Sequence, residues 1–136
     1  MKETSVTPEV TLDQLRERAK EIRLAVLDMV YAAQSGHIGG SFSAAEILSA
    51  LYFKFLRVRP EQPKWPERDR FILSKGHACP VLYATLALRG FFSMETLKTL
   101  RQFESILQGH PVVKTPGADM TSGSLGVGFG IAVGMA

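Results

Sequence analysis

The fold of this chain is decided by the stretch Asp69-Arg70-Phe71-Ile72-Leu73-Ser74-Lys75-Gly76-His77-Ala78. Its apolar run, bounded by polar residues, predicts a short buried strand over 69–73. A turn at Gly76 follows, and a helix over 77–88 then ends at Gly90. Because this is the only convincing strand in 136 residues, the sequence predicts a helix-rich chain whose sheet is incomplete.

Two helices are predicted upstream of this stretch. The segment 12–34 carries apolar residues on one helical face, and Thr11 with Gln14 predicts a capping box at its start. Gly36 is its expected stop, and a glycine-rich loop at 37–40 follows. A second helix is predicted over 43–55, with Ser43 and Glu46 as its capping box.

Downstream, a helix is predicted over 93–103, followed by a long irregular loop over 104–124. Loops of this length in compact domains are often functional. The last stretch, 125–136, predicts an apolar helix rich in glycine, which indicates close approach of another helix or a ligand. Because this helix has no cap and no polar tail, we expect the native protein to continue beyond it.

All three histidines directly follow a glycine, at His37, His77 and His110. Glycine lets the backbone turn sharply or approach a ligand closely, and imidazole donates and accepts hydrogen bonds near neutral pH. The pattern predicts that the three rings converge on a proton-handling or phosphate-binding site. Two alternatives remain: three unrelated loop or cap histidines, or a zinc site. The spacings of 40 and 33 residues resemble no compact zinc motif.

Two turns are candidate ligand sites. Ser74–Ala78 lies where the predicted strand meets a helix, and backbone N–H groups there attract anions, with Lys75 in support. Its alternative is an ordinary capped turn. Thr121–Gly126 places a second Gly/Ser turn at a helix start, where a ligand would lie against Leu125, or Ser122 or Ser124 would cap the helix. Cys79 is interpreted as a buried, inert thiol.

Composition narrows the class of protein. The net charge is +3, and the basic residues are scattered, which argues against nucleic acid as a partner. A single cysteine excludes an intramolecular disulfide and favours a reducing compartment. The start at 1–9 is polar, and no apolar run approaches the roughly 18–20 residues that span a membrane. The sequence therefore predicts a cytoplasmic protein with no membrane partner.

Five segments taken in order resemble the N-terminal part of transketolase, and most of all the N-terminal subunit of split transketolases. The resemblance begins near residue 12. The segments are Ser35-Gly36-His37-Ile38-Gly39-Gly40, the stretch 69–78, Gln108-Gly109-His110-Pro111, Asp119-Met120-Thr121-Ser122-Gly123-Ser124-Leu125-Gly126 and Ala132-Val133-Gly134-Met135-Ala136.

This resemblance implies an α/β fold, the N-terminal portion of a thiamine-diphosphate-binding domain with a parallel sheet flanked by helices. The partial domain occupies 1–136, and 1–11 form a polar tail. The implied reaction moves a two-carbon ketol unit from a ketose phosphate to an aldose phosphate. The implied catalytic residues are His37 and His110, and the implied cofactor-binding residues are His77, Gly123, Ser124 and Leu125.

The implied cofactors are thiamine diphosphate and magnesium, with calcium or manganese as alternatives. No metal ligand is expected in this chain, because the family's Gly-Asp-Gly motif is absent and lies beyond the position where the sequence stops. The glutamate that activates the aminopyrimidine comes from a partner. The implied partners are sugar phosphates, a C-terminal transketolase subunit or domain and a homo- or hetero-oligomer. The alternatives are a deoxyxylulose-phosphate synthase-like enzyme and a non-catalytic interaction module.

Overall fold

The computed structural model describes residues 10–136, and all regular secondary structure in this range is helical. The α-helices are α1 (Leu12–Ala33), α2 (Ile38–Phe42), α3 (Ala45–Ala50), α4 (Cys79–Arg89) and α5 (Val127–Met135). A π-helical turn, Leu51–Phe55, extends α3, and short 3-10 helices occupy Gly76–Ala78 and Met94–Thr99. The signal-free start at 1–9, and with it all but the last two residues of the predicted polar tail at 1–11, lies outside the described residues.

Helix α1 begins as the sequence predicts. The Thr11 hydroxyl accepts a hydrogen bond from the Gln14 N–H at 3.3 Å, and the Gln14 side chain accepts one from the Thr11 N–H at 2.9 Å. This capping box satisfies two N–H groups that have no partner within the helix. The helix ends earlier than predicted, because Gln34 adopts a left-handed conformation (φ 49°) two residues before Gly36.

Helix α4 forms the centre of the core. Every residue from Cys79 to Ala87 is buried, and α1, α3 and the 3-10 helix Met94–Thr99 pack around it. A helix that is apolar on all sides must be covered on all sides. It stops as predicted at Gly90 (φ 95°), where the N–H groups of Gly90 and Phe91 close a Schellman motif on Ala87 and Leu86.

The predicted strand is wrong for the part of the chain that the structure describes. Residues 69–73 form no β-ladder, because a strand requires a second strand and residues 10–136 contain none. Side chains fix this segment instead. The Asp69 carboxylate accepts hydrogen bonds from the Arg57 N–H and guanidinium, and the Phe71 N–H donates to Asp119 at 2.9 Å. The parallel sheet implied by the resemblance is therefore not formed within residues 10–136.

Three local predictions also need correction. The glycine-rich loop at 37–40 is instead the start of α2. Ser43 does not form a capping box, because its hydroxyl donates to the Gly40 carbonyl at 3.0 Å while Glu46 pairs with Arg23 at 2.6 Å. The helix predicted over 93–103 is only the 3-10 helix Met94–Thr99, since the chain turns away at Arg101 (φ 61°). The loop over 104–124 is irregular, as predicted.

Helix α5 lies against the 69–78 segment at its first turn. A Cβ atom on Gly128 would lie 2.7 Å from the Ser74 Cα, so this glycine permits the contact. The Phe129 N–H donates to the Ser74 hydroxyl at 3.2 Å. The close approach of Ser74 therefore explains why residue 128 is a glycine. Added Cβ atoms at Gly130 and Gly134 would meet nothing in the described residues.

Candidate active site

The three histidines converge, as the sequence predicts. The ring centroids of His37 and His77 lie 5.4 Å apart, and those of His77 and His110 lie 4.6 Å apart. Both pairs meet edge to face, with interplanar angles of 77° and 81°. His77 is therefore the central ring of a histidine cluster whose outer members lie 73 positions apart in the sequence. The three rings therefore share one place in the fold, although His37 also occupies the N-cap position of α2, as the alternative of cap histidines allows.

Two of the preceding glycines are required by geometry. Gly36 has φ 147°, a conformation that side chains rarely adopt, and a Cβ there would lie 2.6 Å from Val30 Cγ2. A Cβ on Gly76 would lie 2.6 Å from the Ser122 hydroxyl. Gly36 therefore lets the chain pass close to Val30 of α1 just before His37, and Gly76 lets Ser122 lie close to the backbone just before His77.

Lys75 joins the loops that carry His37 and His77. Its ammonium donates to the Gly40 carbonyl at 2.7 Å and to the Ser43 hydroxyl at 3.0 Å. Carbonyls near a helix C-terminus lack partners within the helix and attract cations, so α2 is a suitable acceptor. The expectation that Lys75 supports anion binding thus competes with a structural use of the same ammonium group.

Helix α4 holds the loop that carries His110. The buried Tyr83 hydroxyl lies 2.9 Å from the Gln108 carbonyl and 2.8 Å from the His110 carbonyl. The Cys79 thiol lies 3.2 Å from the Gly109 carbonyl. Burial raises the pKa of Cys79 to about 12 and also raises that of Tyr83, so both groups stay protonated at neutral pH. This agrees with the interpretation of Cys79 as an inert thiol.

The electrostatic setting of His110 favours neutral imidazole. Burial lowers the pKa of His110 below its ordinary value of 6.5, and the neighbouring His77, Arg101 and His37 lower it further. Its Nε2 atom is buried and has no hydrogen-bond partner among the described residues. Buried polar atoms normally have partners, so this nitrogen is suited to a ligand or substrate group.

The remaining predicted cofactor-binding residues form an open turn. Gly123 is half-buried with free space around its Cβ position, while Ser124 is exposed and Leu125 is 68% exposed. The turn is anchored by its neighbours. Ser122 packs on Gly76, and Asp119 binds Arg68, Arg70 and the Phe71 N–H. The structure thus places Ser122, directly before 123–125, against Gly76 and leaves the Leu125 side chain accessible.

Sequence reasoning missed two residues around the histidine cluster. Tyr83 had a signal, because a tyrosine inside an otherwise apolar buried helix must find a partner for its hydroxyl. Arg101 had none, because its side-chain partner Ser35 lies 66 residues away in sequence. Long-range contacts of this kind become visible only in three dimensions.

Two further properties concern residues 10–136. No group of three or more histidine, cysteine, aspartate or glutamate side chains in this range could hold a metal ion. None of its helices has both the length and the apolar character needed to cross a membrane.

Comparison with known proteins gives consistent matches. Residues 15–136 match the family described as "Transketolase, thiamine diphosphate binding domain". The chain is 45% identical over 125 residues to one subunit of the apulose-4-phosphate transketolase of Phocaeicola vulgatus, covering 92% of this chain and 44% of that protein. It is 50% identical over 123 residues to 6-deoxy-6-sulfo-D-fructose transketolase subunit SqwG of Clostridium sp., covering 90% of this chain and 45% of that protein.

Solved structures agree with the sequence matches. The transketolase from Leishmania mexicana superposes with a TM-score of 0.86 at 35% identity, covering 93% of this chain and 19% of that one. This chain thus spans less than half of the length of the relatives it matches. A family match from residue 15 to residue 136, together with these identities, shows that the chain belongs to the transketolase family, as part of its thiamine diphosphate binding domain.

Proposed function

We propose that this chain supplies part of a transketolase active site, which transfers a two-carbon ketol unit from a ketose phosphate to an aldose phosphate. The observation that carries the proposal is the histidine cluster, in which His110 offers a buried nitrogen without a partner among the described residues. The family membership supports the same reaction class. Sugar phosphates, with their hydroxyl, carbonyl and phosphate oxygens, suit a site built from imidazoles.

The described residues fit thiamine diphosphate. His77 lies at a turn next to the N-terminus of α4, where the partial positive charge of the helix dipole favours an anionic diphosphate. Gly123 leaves free space, and the accessible Leu125 side chain offers an apolar surface to a ring. We therefore assign His77 to the diphosphate, and Gly123, Ser124 and Leu125 to the aminopyrimidine. When bound, this cofactor supplies the carbanion and the electron sink of ketol transfer.

The roles of His37 and His110 follow from their positions. His110 is kept neutral, so its Nε2 can accept a proton from a substrate hydroxyl and return it to a developing alkoxide. His37 is exposed at the outer side of the cluster, where it can bind substrate oxygens as they enter. His77 lies between the two and keeps their rings in a fixed relation.

The rest of the site is proposed to come from elsewhere. The sequence has no Gly-Asp-Gly motif, and residues 10–136 hold no cluster suited to a metal. We propose that a C-terminal transketolase subunit or domain completes a homo- or hetero-oligomer, and that the metal, magnesium or else calcium or manganese, is held outside these residues. The relatives named as transketolase subunits support this arrangement. The single cysteine, buried and reduced, underlies the cytoplasmic location that we propose.

The decisive experiment is a donor assay on this chain assembled with a C-terminal transketolase subunit, thiamine diphosphate and Mg²⁺. Transketolase activity predicts ketol transfer from a ketose phosphate and none from pyruvate, whereas a deoxyxylulose-phosphate synthase would use pyruvate. His110→Ala should lower turnover more than cofactor affinity. Assembly without transfer from either donor would favour the interaction-module alternative, and full turnover by His110→Ala would remove its assigned role.

A further inference from the structure

Arg101 adopts a backbone conformation that is unfavourable for its residue type. Its φ of 61° lies in the left-handed region, which glycine adopts readily and other residues adopt rarely. The conformation is held by a hydrogen bond from the Arg101 N–H to the Leu107 carbonyl at 2.8 Å. Because glycine would fit this turn with less strain, the presence of an arginine indicates a use for its side chain.

The guanidinium group of Arg101 lies between two of the histidine loops. It donates to the Ser35 hydroxyl at 2.5 Å, two residues before His37. Its Nε and NH2 atoms lie 3.1 and 3.2 Å from the position that a Cβ on Gly109 would occupy, directly before His110. The planar fork therefore spans from the His37 loop to the His110 loop, and Gly109 leaves room for it.

The charge of Arg101 also acts on the cluster. The titratable groups that face His110 are His77 from the turn before α4, His37 from the loop after α1 and Arg101 from its own loop. Tyr83 and Cys79 of α4 contact the carbonyls of the same loop and are neutral near pH 7. Arg101 is the permanent cation of this group, since arginine does not deprotonate in proteins.

We propose that Arg101 is a positioning residue that ties the His37 and His110 loops together and keeps a fixed positive charge beside His110. The consequence for a transketolase site is that His110 remains a neutral proton acceptor at the pH of the reaction. The catalytic part of this inference rests on the proposed function. The effect of Arg101 on the pKa of His110 and on the two loops can be measured without enzymatic turnover.

Four variants separate the effect of the Arg101–Ser35 hydrogen bond from the effect of the positive charge on Arg101. Arg101→Gln removes both, and Arg101→Lys keeps the charge but loses the planar fork. Ser35→Ala removes only the hydroxyl that accepts the hydrogen bond from Arg101. Arg16→Gln is the matched control, because this exposed arginine precedes the end of α1 by 17 residues, about 26 Å along the helix axis.

The first measurement is the titration of His110 by NMR in the full chain labelled at histidine Cε1, in the assembly in which it is purified. Arg101→Gln should raise the pKa of His110, because it removes a neighbouring cation. Arg101→Lys and Ser35→Ala should leave it near the native value, and Ser35→Ala should shift the resonances of both His37 and His110. An unchanged His110 titration in Arg101→Gln would overturn the proposal.

The second measurement is kcat/KM for ketol transfer as a function of pH. Arg101→Gln should move the acidic limb to higher pH and lower the plateau by roughly 3- to 10-fold, because the histidines are less well oriented. Ser35→Ala should lower the plateau but leave the limb in place, and Arg16→Gln should match the native profile. A native profile for both site variants would overturn the proposal. If the native assembly transfers no ketol unit, the proposed function fails while the NMR titration still decides the role of Arg101.

Discussion

The Tyr83 hydroxyl lies 2.8 Å from the carbonyl oxygen of His110, so the centre of the core is hydrogen-bonded to the backbone of the site. Tyr83 is fully buried, and its hydroxyl also lies 2.9 Å from the Gln108 carbonyl. The position of His110 therefore depends on a residue whose ring belongs to the hydrophobic core.

Tyr83→Phe should lower the free energy of unfolding by about 1–2 kcal/mol, because it removes the hydroxyl that donates to the part-buried Gln108 or His110 carbonyl. Urea denaturation followed by circular dichroism measures the change. Tyr31→Phe is the matched control, since this tyrosine is 76% exposed, and it should be neutral. Equal effects of the two substitutions would contradict the assigned hydrogen bond.

Gly76→Ala should destabilise the chain by about 1–3 kcal/mol, because the new methyl group would overlap the Ser122 hydroxyl. Adding Ser122→Ala should restore part of the loss, since the nearest atom is then removed. Gly39→Ala is the control, because the space around its Cβ position is empty and it lies in α2. Thermal unfolding of the four proteins tests this, and a loss that Ser122→Ala does not relieve would show that the strain lies elsewhere.

Asp119→Asn should cost about 3–5 kcal/mol, because it leaves the Arg68 guanidinium buried without its counter-charge. The side chains of Arg68 and Asp119 are only 7% and 2% exposed. Asp13→Asn, which breaks the exposed pair with Arg16, should have little effect. Chemical denaturation of both variants is the measurement, and a small loss for Asp119→Asn would mean that Arg68 reaches solvent when its partner is removed.

Stability should depend on pH through His110. Because burial and the neighbouring cationic groups lower the pKa of His110 in the folded chain, the unfolded chain takes up the proton first as the pH falls. The free energy of unfolding should therefore decline from about pH 6.5 down toward the lowered folded-state pKa, with no contribution above this window. His110→Gln should flatten this part of the curve in urea titrations, and a uniform offset at every pH would contradict the assignment.

Cys79 should react with iodoacetamide only when the protein unfolds. Burial raises its pKa to about 12, so at about pH 8 almost none of the reactive thiolate is present in the folded chain. The labelling rate should rise with urea in parallel with the unfolded fraction, as measured by mass spectrometry. Rapid labelling of the folded protein would contradict the burial of this thiol.

Much of the site was predictable from sequence because its parts lie in local motifs. A glycine before each histidine was enough to predict loops that present imidazoles to one place, and the ring distances confirm the convergence of His37, His77 and His110. The ends of α1 and α4 were also close to prediction. Thr11 and Gly90 act through partners within a few residues, which a single sequence contains.

The errors arose where partners are distant in sequence. Residues 69–73 have strand composition, but pairing depends on a second strand that residues 10–136 do not contain. Ser43 and Glu46 match a capping box, yet Lys75 and Arg23 bind the two side chains instead. Arg101 ends the predicted helix at 93–103 early, because its backbone bonds to Leu107 and its side chain to Ser35.

The anchoring of the 69–73 segment has a consequence for the order of assembly. Two irregular segments hold it, because the Arg57 N–H donates to the Asp69 carboxylate and the Phe71 N–H donates to Asp119. These two bonds join residues 12 and 48 positions apart, so the segment is fixed only after the loops that carry Arg57 and Asp119 have closed on it.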